Sequence, residues 1–344
     1  MITVMVTGVG SNIGQGIIKS IRMSGIDTRI IGTDMNPLSA GLFRCDEGYV
    51  IPPVDSEDCL KKIIELCNKK SIDMILIGSD PEVAFFSSNK TTIEKNMITR
   101  VLVSNPLIVN TFHDKWETVI FLKRRELNCP KSSLKEFGSI KKLQDEVGFP
   151  LLIKPRIGAG SKKIFIAKDE NELGCALTFV SDPVIQEYIK GEEFTSGVFF
   201  DRESKIKGII TMKRDLSFGT TYRAIVDDFP EIKIEIMKVA EELSRHGAIG
   251  PINIQSRYHL GKLYTIEINP RFSGTTAFRA KFNFNESEAV LRHFILGEEI
   301  NEFRPSKGIV MRYWEEVYVG LEDGEQIMKK GFIKDSSSTI LRVF

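Results

Sequence analysis

The chain has 344 residues, enough for two or three domains around a sizeable buried core. With 42% apolar and 27% charged residues, its composition is that of an ordinary globular protein and excludes the disordered and fibrous classes. Lys and Arg number 47 against 46 Asp and Glu, and the formal charge of +1 removes any bulk electrostatic case for nucleic acid or an anionic membrane as partner.

Met1 runs directly into the strand-like VMVTG, with no basic leader, no cleavage-like site and no run of about 18 apolar residues anywhere. A cytoplasmic location is expected. The cysteines (Cys45, Cys59, Cys67, Cys129, Cys175) are odd in number and scattered, with no CxxC pair, and are read as reduced thiols rather than as zinc ligands or disulfides.

Residues 2–7 (ITVMVT) are a β-branched apolar run closed by Gly8, and Ile13, Ile17, Ile18 and Ile21 follow at helical spacing. A strand at 28–34, the strand GYVIPP, a helix at 55–70 and strands at 72–80 and 100–104 continue the alternation. This predicts a parallel sheet with crossover helices, ending near Asn105 and Pro106. A helix from Thr111 to about Leu127 carries Asp114 and Glu117 early and Lys123, Arg124 and Arg125 late, matching the helix dipole. Short strands (SSLKEF, FPLLIKP, KIFIAK, VIQEYI) and helices near 139–147 and 169–180 surround the glycine-rich RIGAGSKK and suggest a small α+β lobe.

A larger, mostly antiparallel lobe follows, with EEFTSGVFF, KIKGIITMKRDL, GPINIQSRYH and LYTIEINPR and helices near 231–246 and 286–296. The chain ends in a strand, GIVMRYWEEVYV, and a short return, without internal repeats. The expected divisions are an α/β domain at 1–108, a small lobe with its glycine loop at 109–188, a large lobe at 189–304, and a C-terminal strand and tail at 305–344.

Two glycine loops compete as phosphate sites. The first, Gly8 to Gly14, lies between strand and helix, and Asp34 stands where a ribose-binding acid would sit, which suggests NAD. Its spacing, however, is GxGxxxG rather than GxGxxG, and the competing reading is a tight turn in a domain that holds no nucleotide. The second loop holds Gly158, Gly160, Ser161 and Lys162 behind the strand-borne Lys154, so backbone amides and a point charge are available to phosphate oxygens. Downstream, Glu267 and Asn269 are two apart on one strand and face the same way, with Gln255 on the strand before and Arg271 at the same period. Such hard oxygens suit Mg²⁺.

Together with Lys115 in HDKWETVIFLKR and the segment VIQEYIKGEEF, these motifs occur in an order that resembles the ATP-grasp family, and the α/β domain in front resembles its carbamoyl-phosphate-synthase-like branch. The resemblance spans all but the C-terminal tail. It implies a Rossmann-like pre-ATP-grasp domain followed by a two-lobed α+β ATP-grasp domain. It also implies that Lys115, Lys154 and the loop residues Gly158, Gly160, Ser161 and Lys162 hold the ATP phosphates, that the Glu187 carbonyl and Ile189 amide read the adenine edge, and that Glu193 accepts the ribose hydroxyls, a role the adjacent Glu192 could take. Glu267 and Asn269 are implied ligands of Mg²⁺ or Mn²⁺, with Gln255 a third candidate where many relatives carry an acid.

Arg271 is expected at the γ-phosphate and acceptor carboxylate, and Lys213, with Arg214, at the end of a strand as a catalytic cation. Arg223, Arg279 and Lys281 read as solvated surface charge, and the four histidines have no triad partners. The implied reaction is attack of a carboxylate on the γ-phosphoryl group, then displacement of phosphate from the acyl phosphate by an amine, with ADP released. The partners are then small-molecule carboxylate and amine substrates, with neither nucleic acid nor membrane, and a homodimer is the common default. Alternatives are a carbamoyl-phosphate-type or other acyl-phosphate former, an NAD(P)-binding oxidoreductase resting on the first loop, and a non-catalytic nucleotide-binding regulator.

Overall fold

A computed structural model describes residues 1–95, 97–158, 163–313 and 315–339. In the N-terminal domain, β1 (Ile2–Val6), β2 (Thr28–Asp34), β3 (Glu47–Val50), β4 (Met74–Leu76) and β5 (Arg100–Leu102) run parallel in the order β3-β2-β1-β4-β5. Helices α1 (Asn12–Met23), α2 (Cys59–Lys70) and α3 (Asp80–Glu94) make crossovers. All five residues of β1 are buried, as the β-branched run requires of a strand covered on both faces. The strand expected at 72–80 is shorter, because Asp80 already opens α3. No clean apolar stripe announced that helix, since its buried face mixes Val83, Phe86 and Ile93 with Glu82 and Ser87.

The single helix expected at 111–127 is two, α4 (Pro106–His113) and α5 (Lys115–Lys123). Asp114 breaks it: its Oδ1 accepts from Trp116 N at 2.8 Å and Glu117 N at 3.3 Å and caps α5. The small lobe is the antiparallel sheet β6 (Ser132–Ser133), β7 (Leu151–Pro155), β8 (Phe165–Ala167) and β9 (Pro183–Glu187), ordered β6-β9-β7-β8. Helices α6 (Phe137–Val147) and α7 (Glu170–Phe179) close its own apolar cluster of Ile140, Leu143, Leu151, Ile153, Leu173 and Ile185.

The large lobe contains β10 (Glu192–Phe200), β11 (Ile206–Ser217), β12 (Thr220–Val226), α8 (Pro230–Arg245), β13 (Gly250–His259), β14 (Lys262–Asn269), α9 (Thr276–Lys281), α10 (Glu286–Val290) and β15 (Gly308–Met311). Its sheet is ordered β14-β13-β10-β11-β12-β15. The sequence reading missed β12, which returns through Phe218 and Gly219 at φ of 49° and 71°, the positive pair of a tight hairpin turn. The helix expected at 286–296 is α10 followed by one π-helical turn at 291–295.

The expected strand GIVMRYWEEVYV is confined to β15; α11 (Leu321–Lys330) and β16 (Phe332–Lys334) follow. β16 pairs antiparallel with β3, so the N-terminal sheet is mixed rather than wholly parallel. Ile17 and Ile21 of α1 share one apolar cluster with Phe272, Phe284 and Val290, which joins the N-terminal domain to the large lobe. No helix among the described residues is long and apolar enough to cross a membrane.

Glu47 pins the edge where β16 joins. It is 2% exposed, forms ion pairs with Arg29 and Lys70, and accepts from Tyr49 Oη at 2.6 Å. Burial alone would raise its pKa, but the bonds from Lys70, Tyr49 and Arg29 outweigh burial and hold it at about 2, against 4.5 for a free carboxyl. A depressed folded-state pKa stabilises the fold above the unfolded value, and that contribution is lost as pH falls from about 4.5 toward 2. Glu47→Gln should lower unfolding free energy at pH 7 by about 2–3 kcal/mol. The variant should also lose less stability than wild type when unfolding is measured across this acid range.

Candidate active site

The small lobe, the large lobe and the first glycine loop enclose a cleft of about 570 Å³. Lys154 enters it from β7 and is only 4% exposed. Its Nζ donates to Gln186 Oε1 at 3.0 Å, and Gln186 Nε2 donates in turn to Ser132 Oγ at 2.9 Å. Burial lowers the Lys154 pKa to about 8; the charge of Glu267 opposes that shift and Lys115 adds to it. Lys115, first residue of α5, donates from Nζ to the Gly158 carbonyl at 2.6 Å. Gly158 has φ of 152°, a conformation that favours glycine. Gly160, Ser161 and Lys162 lie outside the described residues.

Glu187 and Ile189 line the junction of the lobes. The Glu187 side chain accepts from Lys131 N at 3.1 Å, and Arg257 donates to the Ile189 carbonyl at 3.0 Å. Strand alternation separates the neighbouring acids. Glu193 lines the cleft, where Arg214 Nη2 approaches Oε1 at 2.7 Å and Arg257 Nη2 approaches Oε2 at 3.0 Å, while Glu192 turns out to solvent and pairs with Lys213.

The same alternation corrects the placement of Lys213. It sits within β11 rather than at a strand end, outside the cleft lining, and its side chain is 40% exposed. Arg214 is the cation that β11 presents to the cleft, 8% exposed and bonded to Gln255 Oε1 at 3.0 Å.

In the same sheet, Gln255 of β13 pairs directly with Glu267 of β14, and Asn253 with Asn269. Gln255 and Glu267 line the cleft. Asn269 is 9% exposed; its Oδ1 accepts from Arg271 Nη2 at 3.1 Å, and its Nδ2 has no partner among the described residues. No group of three or more His, Cys, Asp or Glu that could hold a metal occurs among the described residues. One carboxylate beside amide oxygens suits a hard cation that completes its shell with water and phosphate oxygens, so these donors fit Mg²⁺. Arg271 lines the cleft, pairs with Asp80 at the start of α3 and donates to the Phe272 carbonyl at 2.8 Å.

The first glycine loop joins the same cleft through Ser11, Asn12 and Ile13. Its glycines have packing reasons: a Cβ on Gly10 would lie 2.4 Å from Ser39 Oγ, and one on Gly14 would lie 2.4 Å from the Gly8 carbonyl. Asp34 holds the turn, accepting from Gly10 N at 2.7 Å, Asn36 N at 2.9 Å and Ser39 Oγ at 2.9 Å. Its carboxylate is thus engaged with its own chain.

Of the residues read as surface charge, Arg223 pairs with Asp215 in solvent and Lys281 is exposed, but Arg279 is wholly buried and corrects that expectation. Room for it exists because residue 197 is glycine, whose Cβ would stand 2.5 Å from Arg279 Nη1. The sequence reading also missed Asn253, Arg257 and Asp80 as cleft residues. Asn253 carried a usable signal, since it stands two before Gln255 as Glu267 stands two before Asn269.

A family profile described as ATP-grasp domain matches residues 112–275, and one described as PylC-like, N-terminal domain matches residues 4–101. The carbamoyl phosphate synthase large chain of Clostridium perfringens is 26% identical over 333 residues, covering 89% of this chain and 30% of the relative. The chain therefore spans about 30% of the length of that relative. N5-carboxyaminoimidazole synthetase from Staphylococcus aureus complexed with ADP superposes with a TM-score of 0.73 at 15% identity, over 96% of this chain and 85% of that one. L-amino acid ligase from Bacillus licheniformis gives 0.69 at 15% identity, over 95% and 85%. Both profiles are in register with the observed domains on either side of the cleft, so the chain carries an ATP-grasp domain over residues 112–275 behind a PylC-like N-terminal domain over residues 4–101.

Proposed function

We propose that the protein is an ATP- and Mg²⁺-dependent ligase that joins a small-molecule carboxylate to an amine through an acyl phosphate, releasing ADP and phosphate. The observation that carries this reading is the meeting, across one cleft, of the buried cation Lys154 with Glu267, Gln255 and Arg271. Lys154 and Lys115, with the Gly158 loop, hold the triphosphate; the Glu187 and Ile189 backbone holds adenine and Glu193 the ribose. Glu267, Asn269 and Gln255 are the residues that would hold Mg²⁺, which when bound neutralises charge on the phosphates.

Arg271 orients the γ-phosphoryl group and the attacking carboxylate, while Lys154 stabilises the charge that collects on departing ADP. The carboxylate oxygen forms a bond to γ-phosphorus as the bond to the β-phosphate oxygen breaks. The amine nitrogen then bonds the acyl carbon, phosphate leaves, and the ammonium proton passes to solvent. Walls drawn from three parts of the chain limit access of water to the acyl phosphate. The similarity to an L-amino acid ligase and to an ADP-bound synthetase supports this reading.

Glu267→Gln should retain the fold and lower ADP release by about two orders of magnitude or more, because metal neutralisation contributes several kcal/mol. A folded variant with near-normal ADP release in the presence of candidate carboxylates and amines would contradict the assignment.

Mg-ATP should raise the melting temperature of the wild type, whereas NAD and NADP should not. Lys154→Ala should abolish the shift and Asp34→Ala should leave it unchanged. Stabilisation by NAD that disappears in Asp34→Ala, without any response to ATP, would reverse the reading.

The lowered pKa of Lys154 adds a pH dependence. Its charged form is lost as pH rises through about 8, so Mg-ATP affinity measured by calorimetry should fall above that pH with uptake of a proton on binding. In Lys154→Arg the affinity should hold constant across this range.

A further inference from the structure

We propose that the buried Arg279–Glu286 ion pair is a positioning device that fixes the direction of the Asn253 amide and the adjoining turn Ser273–Thr275 at the nucleotide cleft. Both partners are 0% exposed, and Arg279 Nη1 lies 2.9 Å from Glu286 Oε1. Desolvation offsets most of the attraction in such a pair, so net stability is a weak account of it. What the pair does determine is direction.

Asn253 is 1% exposed and lines the cleft. Its Oδ1 accepts from Arg279 Nη2 and also from Thr195 Oγ1 at 2.8 Å, which leaves the amide nitrogen for the cleft. The two donors differ in what they permit. A threonine hydroxyl rotates and satisfies either orientation of the amide, whereas a guanidinium only donates and tolerates only the oxygen. Arg279 is therefore the group that keeps Nδ2 turned toward the cleft, as a donor to a phosphate oxygen.

Glu286 holds the second wall. Its Oε2 accepts from Thr276 Oγ1 at 3.1 Å, and the same hydroxyl accepts from Ser273 N at 3.0 Å, which fixes the start of the turn whose residues Ser273, Gly274 and Thr275 line the cleft. The next residue, Ser287, lies 2.5 Å from Ser20 of α1, Oγ to Oγ, so the device is also tied to the N-terminal domain. Gly197 provides the space in which the guanidinium lies.

The inference rests on the cleft being a nucleotide site, and a calorimetric titration with Mg²⁺ and the non-hydrolysable analogue β,γ-imido-ATP separates the two. Four proteins form a cycle: wild type, the double variant Arg279→Met with Glu286→Leu, Asn253→Ala, and all three changes together. The double variant should bind about tenfold more weakly, Asn253→Ala should lose a similar factor, and the triple variant should lose no more than the larger of the two. Affinity unchanged in the double variant, or losses that multiply in the triple, would overturn the positioning role.

Arg279→Lys keeps a cation for Glu286 but lacks the fork that reaches Asn253 as well. It should remain folded with weakened binding, and it provides the decisive measurement if the double variant does not fold. Thr195→Val should bind within about twofold of wild type, since the arginine alone orients the amide; a loss equal to that of Arg279→Lys would remove the distinction on which the proposal depends. Failure of the wild type to bind the analogue would instead overturn the nucleotide reading, and this inference with it.

Discussion

Burial of α1 against α9 and α10 is the interaction on which the rest of the architecture depends. Ile17 and Ile21 from the N-terminal domain enter the same apolar cluster as Phe272, Phe284 and Val290 from the large lobe, so one core crosses the domain boundary. Fully burying each such side chain contributes about 1.5–3 kcal/mol. Because Phe272 follows Arg271 directly, the packing that joins the domains also fixes the backbone from which Arg271 reaches the cleft. The small lobe stands apart by this measure, since its apolar cluster is its own and contains no residue of the other two bodies.

Both lobes bring charge of both signs to the cleft. The small lobe and the helix entering it present Lys154 and Lys115 with Glu187, while the large lobe presents Arg214, Arg257 and Arg271 with Glu193, Glu267 and the amides of Gln255 and Asn253. Lys154 is the most constrained of these, because its only hydrogen-bond acceptor among the described residues, Gln186, is neutral and buried. On the proposed reading such a lysine would gain a strong electrostatic partner in a bound triphosphate, and burial would make that interaction stronger than the same contact in water. Arg214 and Arg257 instead share the single carboxylate of Glu193, so part of their charge is answered inside the protein.

Buried polar groups below the cleft serve direction more than cohesion. The Ser132 hydroxyl already donates to the Pro130 carbonyl at 2.9 Å and can only accept from Gln186, whose carbonyl is thereby turned to Lys154, and Asn253 is turned by Arg279 so that its nitrogen is left to the cleft. In both places an amide, which has distinct donor and acceptor ends, is oriented by a neighbour able to satisfy only one arrangement in that setting. The first glycine loop is held in a comparable way, by Asp34 accepting from its backbone and from the turn that follows.

What the sequence determined by itself was whatever depends on local spacing. Period-two placement put Glu267 and Arg271 in the cleft lining, with Asn269 outside it but bonded to Arg271; the β-branched run at 2–7 became β1, and glycine beside strand-borne Lys154 marked the cleft wall. Tertiary structure decided everything that required knowing which segment faces which. Adjacent residues on a strand point to opposite sides, so whether Lys213 or Arg214, and Glu192 or Glu193, reached the cleft depended on how β10 and β11 were laid against their neighbours. Arg279 read as surface charge because its partner Glu286 and the space at Gly197 are brought to it only by folding. The C-terminal strand likewise found its sheet at β3, nearly the whole chain length away, where no local periodicity records a partner.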